Sequence, residues 1–308
     1  MTKIVTLTVN PALDKSAKVD GLIPDQKLSC HSITYQAGGG GINISRILSR
    51  LGVNSKCVFT SGGDTGQRLE SLLLEEHINN FPVAVREATR ENFSVVDTTT
   101  RFQYRFGMPG GNITDAEFNK ITTSLEELLN EGDILALSGS LSSKMPSDYY
   151  VQVIQLLKGK GVKIVLDTSG SALKEAIGQK LCLVKPNQRE LALLAGKEFL
   201  TNKEQEDFAL QLVASNSVEY VVVSMGPKGA FMASKEGITY QHTPAVPVRS
   251  TIGAGDSMVA GLIYGILKEM NAEQMLKYGV ACGSATTMSE GTNLASIKNI
   301  HNTLELLS

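Results

Sequence analysis

Residues 133–139 read DILALSG, 163–170 KIVLDTSG, 181–187 LCLVKPN and 220–226 YVVVSMG. Each is a short, continuous apolar run that stops at Gly or at Pro-Asn, the pattern of a strand buried on both faces. Between them stand SDYYVQVIQLLKGKG (147–161), SALKEAIG (171–178) and NQRELALLAG (187–196), which read as helices, with a further helix before residue 220. Such alternation implies an α/β fold whose strands run parallel and are joined by right-handed crossovers. Ligands of such a sheet sit at the carboxyl ends of its strands, here near residues 138–140, 185–187 and 224–226. Further out, KIVTLTV (3–9) is another buried strand, stopped by Asn10-Pro11, and it brings residues 10–14 to the same edge.

The remaining segments read differently. Residues 11–36 are polar and mixed, and 92–106 (NFSVVDTTTRFQYRF) reads as a polar-tipped hairpin. Together they are expected to form a small sheet apart from the main core. Gly38-Gly39-Gly40-Gly41 leads into a helix with Ile44, Ile47, Leu48 and Leu51 on one face and Gly52 as its stop. No repeat, linker or low-complexity tract interrupts the chain, so residues 1–308 are expected to form one domain.

Composition excludes several functions. Of 308 residues, 42% are apolar and 19% charged, and the formal net charge is −2, which gives no electrostatic footprint for nucleic acid. A local cluster of Arg and Lys can still receive a small anion. Cys30, Cys57, Cys182 and Cys282 are scattered without a C-x-x-C and read as free thiols of a reducing compartment. MTKIVTLTVN is too short in apolar residues for a signal peptide, and no stretch is long enough to span a membrane. A cytoplasmic protein is expected.

The chemistry centres on Thr251-Ile252-Gly253-Ala254-Gly255-Asp256, which opens a helix with Val259, Leu262, Ile263, Ile266 and Met270 at helical spacing behind it. Two glycines strip side chains from the first turn, so an anion can approach the unpaired N–H groups and the positive end of the helix dipole. A carboxylate beside them can accept a proton from an attacking hydroxyl. Phosphoryl transfer, which depends mainly on positioning and electrostatics, needs little more. The same residues also read as a glycine-rich helix start with an Asp that complements the dipole. No G-x-x-x-x-G-K-[ST] is present, so a P-loop is excluded.

Thr251-Ile252-Gly253-Ala254-Gly255-Asp256-Ser257-Met258 resembles one signature of the ribokinase-like (PfkB) carbohydrate kinases, and Ala37-Gly38-Gly39-Gly40-Gly41-Ile42-Asn43 resembles the other. The resemblance covers essentially the whole chain. It implies a three-layer α/β/α sandwich with a mostly parallel sheet, and a small β-sheet lid built from about 12–36 and 90–107. In relatives that lid often serves as a dimer interface, and its open edges favour pairing, so a homodimer is expected. The resemblance makes Asp256 the catalytic base, with the Gly253, Ala254 and Gly255 amides as the anion hole. It implies ATP and Mg2+ as cofactors, and it admits a monovalent cation such as K+ near Ser250, Ile252, Ser289 and Gly291, with Asn293 where some relatives carry a basic residue.

Lys185-Pro186-Asn187 with Glu190 matches the family's Asn-x-x-Glu motif. Through the resemblance, Asn187 and Glu190 hold Mg2+ through water, and Lys185 meets phosphate oxygens. On the residues alone, Asn187 and Glu190 equally read as a helix N-cap with its capping-box partner. Ser224-Met225-Gly226-Pro227-Lys228-Gly229 looks like the nucleotide loop, in which Ser224, Gly226 and Gly229 pass ATP, though a plain β-turn reads the same. Cys282 and Gly283 correspond to a segment near adenine, and also read as an ordinary buried helix.

At the sugar end the resemblance selects Asp14, Gly38, Gly39 and Asn43. Asp14 alone would pass for an Asx-turn residue. Arg90 and Arg105, beside Lys27, match arginines that bind the substrate phosphate in the branch acting on sugar phosphates. Arginine suits that role by its planar fork, although lone surface arginines are usually solvated. Ser138-Gly139-Ser140-Leu141 resembles that branch's Ser-Gly-Ser-Leu-Pro, with Ser140 at the sugar, but Ser142 and Ser143 depart from the pattern. The branch holds 1-phosphofructokinases, tagatose-6-phosphate kinases and minor 6-phosphofructokinases. Gly38-Gly39-Gly40-Gly41 resembles the last, where the other two usually read Gly-Gly-Lys-Gly. The expected reaction is phosphorylation of fructose 6-phosphate to fructose 1,6-bisphosphate. Tagatose 6-phosphate and fructose 1-phosphate are the alternatives. A ribose or nucleoside kinase would need no phosphate clamp, and a non-catalytic sugar-phosphate sensor would have lost Asp256, Asn187 or Glu190.

Overall fold

The computed structural model describes residues 2–307. In chain order the strands are β1 (Ile4–Thr8), β2 (Ala12–Val19), β3 (His31–Gly38), β4 (Lys56–Ser61), β5 (Asn80–Ala84), β6 (Arg90–Asp97), β7 (Gln103–Phe106), β8 (Ile134–Ser138), β9 (Lys163–Asp167), β10 (Leu181–Val184), β11 (Val218–Ser224), β12 (Ala230–Ser234) and β13 (Gly237–Gln241). The helices are α1 (Gly40–Arg50), α2 (Gly63–Glu75), α3 (Asp115–Leu128), α4 (Tyr149–Leu156), α5 (Gly170–Ala176), α6 (Gln188–Leu194), α7 (Asn202–Ala214), α8 (Ala254–Leu267), α9 (Ala272–Thr287) and α10 (Ile297–Leu306). The chain is an α/β fold, with one large, mostly parallel sheet between helix layers and a small separate sheet.

The large sheet runs β13-β12-β11-β10-β9-β8-β1-β4-β5. Strands β5 through β11 pair in parallel in that order, and β12 and β13 close the far edge antiparallel. Alternate side chains feed opposite cores. Leu135, Leu137, Leu166, Val221 and Val223 join the layer holding α3 to α7. Ile134, Ala136, Val165, Leu183 and Val222 join the layer holding α1, α8, α9 and α10. Because both faces are covered, the strands read as unbroken apolar runs. From β1 the chain steps one way through β4 and β5, and the other way from β8 to β11. The order therefore reverses between β1 and β8, and the crevice at their carboxyl ends is where such folds hold ligands.

The small sheet runs β3-β2-β6-β7, with β2 and β6 parallel and the outer pairs antiparallel. The segments expected as its strands are its strands, joined by the connections 20–30 and 98–102. It leans on α2, where the Arg68 guanidinium lies 3.4 Å from the centroid of the Tyr35 ring of β3.

Two expected details shift. Helix α8 stops at Leu267, leaving Met270 beyond it, and β10 stops at Val184, because Asn187 is the cap of the next helix. Helices α8 and α9 pack backbone to backbone at Gly261, where an added Cβ would lie 2.5 Å from the Tyr278 carbonyl oxygen and 2.9 Å from Gly279 Cα. Gly261→Ala should therefore push the helices apart and lower stability by about 1–3 kcal/mol in urea unfolding.

Candidate active site

Helix α8 begins sharply because Gly253 adopts φ 72°, ψ 0°, a left-handed conformation in which a side chain is strained. An added Cβ there would also meet Leu294 Cδ2 at 2.6 Å. The helix has no side-chain cap, and no described residue accepts from the amides of Gly255 and Asp256. These amides and the helix dipole make the tip an anion-binding surface. Lys185 adds a formal charge: its ammonium would lie 3.5 Å from a Cβ placed on Gly255.

Around this tip, strand ends converge. A cleft of about 400 Å³ is lined by Asn10, Gly39, Gly40, Arg90, Gly139, Ser140, Asp167, Thr168, Ser169, Lys185, Asn187, Glu190, Ser224, Gly255 and Asp256. Lys185 is only 7% exposed and its Nζ is 3.2 Å from Asp167 Oδ1. Burial works against its charge, but Asp167, Glu190 and Asp256 outweigh that and raise its pKa. Burial pushes Asp256 up to about 6, and Asp167 adds to the rise. A hydrogen bond from Asn43 Nδ2 to Asp256 Oδ2 at 2.8 Å, and the charge of Lys185, pull the other way. A carboxylate held there is a stronger proton acceptor than a solvated Asp.

Asn187 and Glu190 form the capping box that the residues alone allowed. Asn187 N donates to Glu190 Oε2 at 2.8 Å, and Glu190 N donates to Asn187 Oδ1 at 2.9 Å. Both residues still line the cleft, so the cap does not take them out of it. Ser224 joins that lining through a bridge to Asn187, whereas Gly226 and Gly229, both at positive φ, lie on the turn beyond it. Cys282 is fully buried in α9 with its thiol pushed up to about 12, and it does not line the cleft.

A second cavity of about 300 Å³ lies under the small sheet, lined by Asp14, Asn92, Arg105, Phe106, Ile252 and Thr292 among others. Asp14 Oδ1 accepts from Asn92 Nδ2 at 2.9 Å, and burial raises the Asp14 pKa. Gly38 is required beside it, since a Cβ would fall 2.2 Å from Asp14 Oδ2. Arg90 lines the first cleft, and Arg105 the second; the charge of each acts on Asp14. Arg90 donates to the carbonyls of Asn10 and Met108, both at 3.2 Å, and its Nε is buried without a partner. Lys27 is not brought in: it stands on the exposed 20–30 connection and lines neither cavity.

The loops behind the tip are tied together. Ser250 Oγ donates to the Gly291 carbonyl at 2.6 Å and accepts from Ile252 N at 3.3 Å. Gln36 of β3 bonds to both Thr292 and Asn293. Sequence reasoning singled out neither Gln36 nor Asp167, Asn92 and Arg46. Asp167 ends a strand that was read correctly, and its place at a carboxyl end was the one signal available.

A family model described as pfkB family carbohydrate kinase matches residues 7–299. The chain is 36% identical over 297 residues to the ATP-dependent 6-phosphofructokinase isozyme 2 of Escherichia coli K12, covering 96% of each chain. It is 35% identical over 288 residues to the 1-phosphofructokinase of Bacillus subtilis 168, covering 93% of each. The crystal structure of phosphofructokinase-2 from Escherichia coli in complex with fructose-6-phosphate superposes with a TM-score of 0.94 at 34% identity, covering 100% of this chain and 99% of that one.

Removing the negative charge of Asp167 should relieve Asp256. Asp167→Asn is expected to move the Asp256 titration below about 6, measured by carboxyl ¹³C NMR.

Proposed function

The chain belongs to the pfkB family of carbohydrate kinases, and we propose that it transfers the γ-phosphoryl group of ATP to the 1-hydroxyl of fructose 6-phosphate. The observation that carries this is the meeting of Asp256 with the unpartnered amides of its own helix tip, inside a cleft continuous with Arg90 and close to Asp14. Asp256 takes the hydroxyl proton as the sugar oxygen bonds to the γ-phosphorus and the bond to ADP breaks. The products are fructose 1,6-bisphosphate and ADP. The Gly253, Ala254 and Gly255 amides and Lys185 stabilise charge on the moving group. Asp14, Gly38, Gly39, Asn43 and Ser140 hold the sugar. Arg90 and Arg105 bind its phosphate, with Arg90 exchanging its carbonyl partners for phosphate oxygens. Ser224, Gly226 and Gly229 pass the nucleotide.

Asn187 and Glu190 would hold Mg2+ through water, and the ion would supply charge neutralisation at the nucleotide phosphates. The residues present fit it. No group of three or more acidic, His or Cys ligands gathers among the described residues, but Glu190 and Asn187 both line the cleft, and the capping box engages only Oε2 of Glu190. An ion that keeps most of its waters needs no more. The paired loops 249–252 and 287–293 suit a monovalent cation such as K+ held by backbone carbonyls.

Fructose 6-phosphate is favoured over fructose 1-phosphate and tagatose 6-phosphate by Gly40. A Cβ there would lie 2.2 Å from Ser138 Oγ and 2.9 Å from Gly139 N, so the Lys usual in the other two groups would not fit without a shift. The small sheet acts as a lid. Its Ile33, Phe102 and Phe106 are 51%, 65% and 46% exposed, and among the described residues the outer edges of β3 and β7 have no neighbouring strand, so we assign it to a homodimer interface. Among the described residues no helix is long and apolar enough to cross a membrane, and the free thiols suit the cytoplasm.

A coupled assay across fructose 6-phosphate, tagatose 6-phosphate, fructose 1-phosphate and ribose should rank fructose 6-phosphate first by kcat/KM. Activity should rise with pH through a midpoint near 6 as Asp256 ionises. Asp256→Asn should lower kcat by about 10²–10⁴ with little change in KM; parental turnover in that variant would refute the assignment. Sedimentation should give a dimer for the parent and a monomer for Ile33→Asp/Phe102→Asp.

A further inference from the structure

Arg46 is 3% exposed, on α1 one turn after Asn43. Its Nε and Nη2 donate to Glu76 Oε2 and Oε1 at 2.8 and 2.6 Å. That two-pronged pair fixes the plane of the guanidinium, and Glu76 is itself anchored as the C-cap of α2. The remaining nitrogen, Nη1, donates to the Ala37 carbonyl at 3.1 Å and to Asn43 Oδ1 at 3.4 Å. Asn43 in turn donates from Nδ2 to Asp256 at 2.8 Å.

The Asn43 amide therefore has an acceptor side facing a cation and a donor side facing an anion. Half a turn about its last bond would set oxygen against the Asp256 carboxylate and NH2 against the guanidinium. Two hydrogen bonds would become two repulsions, in a place where burial leaves little water to relieve them. A buried charge is costly where packing alone is wanted, and an apolar side chain of similar volume would serve packing as well. Asp167 from β9, Lys185 just after β10 and Asp14 from β2 also face Asp256, but none of them touches Asn43 in the hydrogen bonds observed.

We infer that Arg46 is a positioning residue: held by Glu76, it locks the Asn43 amide as a donor to Asp256. For the role of Asp256 this rests on the kinase reading above.

Arg46→Lys keeps the charge beside Glu76 and loses the fork. It should lower kcat for fructose 6-phosphate by about tenfold or more. In an Asn43→Ala background the same change should alter kcat by less than about twofold, because its route to Asp256 is gone. Losses that simply add in the double variant would overturn the inference. A second readout needs no turnover. The ¹⁵N shift of the Asn43 side-chain amide should follow Asp256 ionisation in the parent, and should lose that response in Arg46→Lys and in Glu76→Gln. An unchanged response in folded variants overturns the inference whatever the substrate. Absence of sugar phosphorylation in the parent would instead bring down the kinase reading, with the amide readout still deciding the role of Arg46.

Discussion

Lys185 is an ammonium almost wholly removed from water, and the cleft is organised by what that requires. An unpaired charge so deep would be expelled or neutralised, so Asp167 stands 3.2 Å away and Asp256 and Glu190 lie within electrostatic reach. The reverse also holds. Two carboxylates near one another at the end of a sheet repel, and each tends to stay protonated. The ammonium allows both to remain available to a ligand. A polyanion entering the cleft would find the Lys185 ammonium and the Arg90 guanidinium beside the free amides of the α8 tip.

The chain topology explains why these groups can meet. Strand order reverses between β1 and β8, so the loops leaving those strands diverge and open a crevice. Helix α1 enters it from one side with Asn43, and α8 from the same layer with Asp256. The glycines at both helix starts let these approaches happen: Gly40 comes against Ser138, and Gly253 against Leu294. Bulk at either point would close the crevice that the topology opens.

The parallel strands were legible because both faces of the sheet are buried, which leaves long apolar runs and abrupt Gly or Pro-Asn stops. The tip of α8 was legible through its resemblance to the family signature, since Gly253 and Gly255 ahead of Asp256 read equally well on their own as a plain helix start. The hairpin β12–β13 went unread, since its strands sit at an edge and mix Ser, Thr, Gln and Gly with apolar residues. Asn187 and Glu190 show the limit of a local motif: the capping box and the cleft-facing pair are the same two residues, so spacing could not choose between them. Asp167, Gln36 and Arg46 were silent for a different reason. Gln36 meets Asn293, 257 residues away, Arg46 meets Glu76, 30 residues on and on another helix, and Asp167 meets Lys185 just past the end of the next strand, so none of these pairings leaves a periodicity to read.

The placement of β1 carries one more consequence. It pairs with β4 on one side and with β8 on the other, Ile4 standing opposite Ile134. A nascent chain leaving the ribosome would have to wait for more than a hundred further residues before its first strand gained its second neighbour. Asn43 and Asp256 are 213 residues apart, so the cleft would be among the last features to form. Contacts of such sequence separation slow folding, since loop closure must be met before they reward it. Until the C-terminal helices are synthesised, the face of the sheet they cover stays wet and open to chaperones.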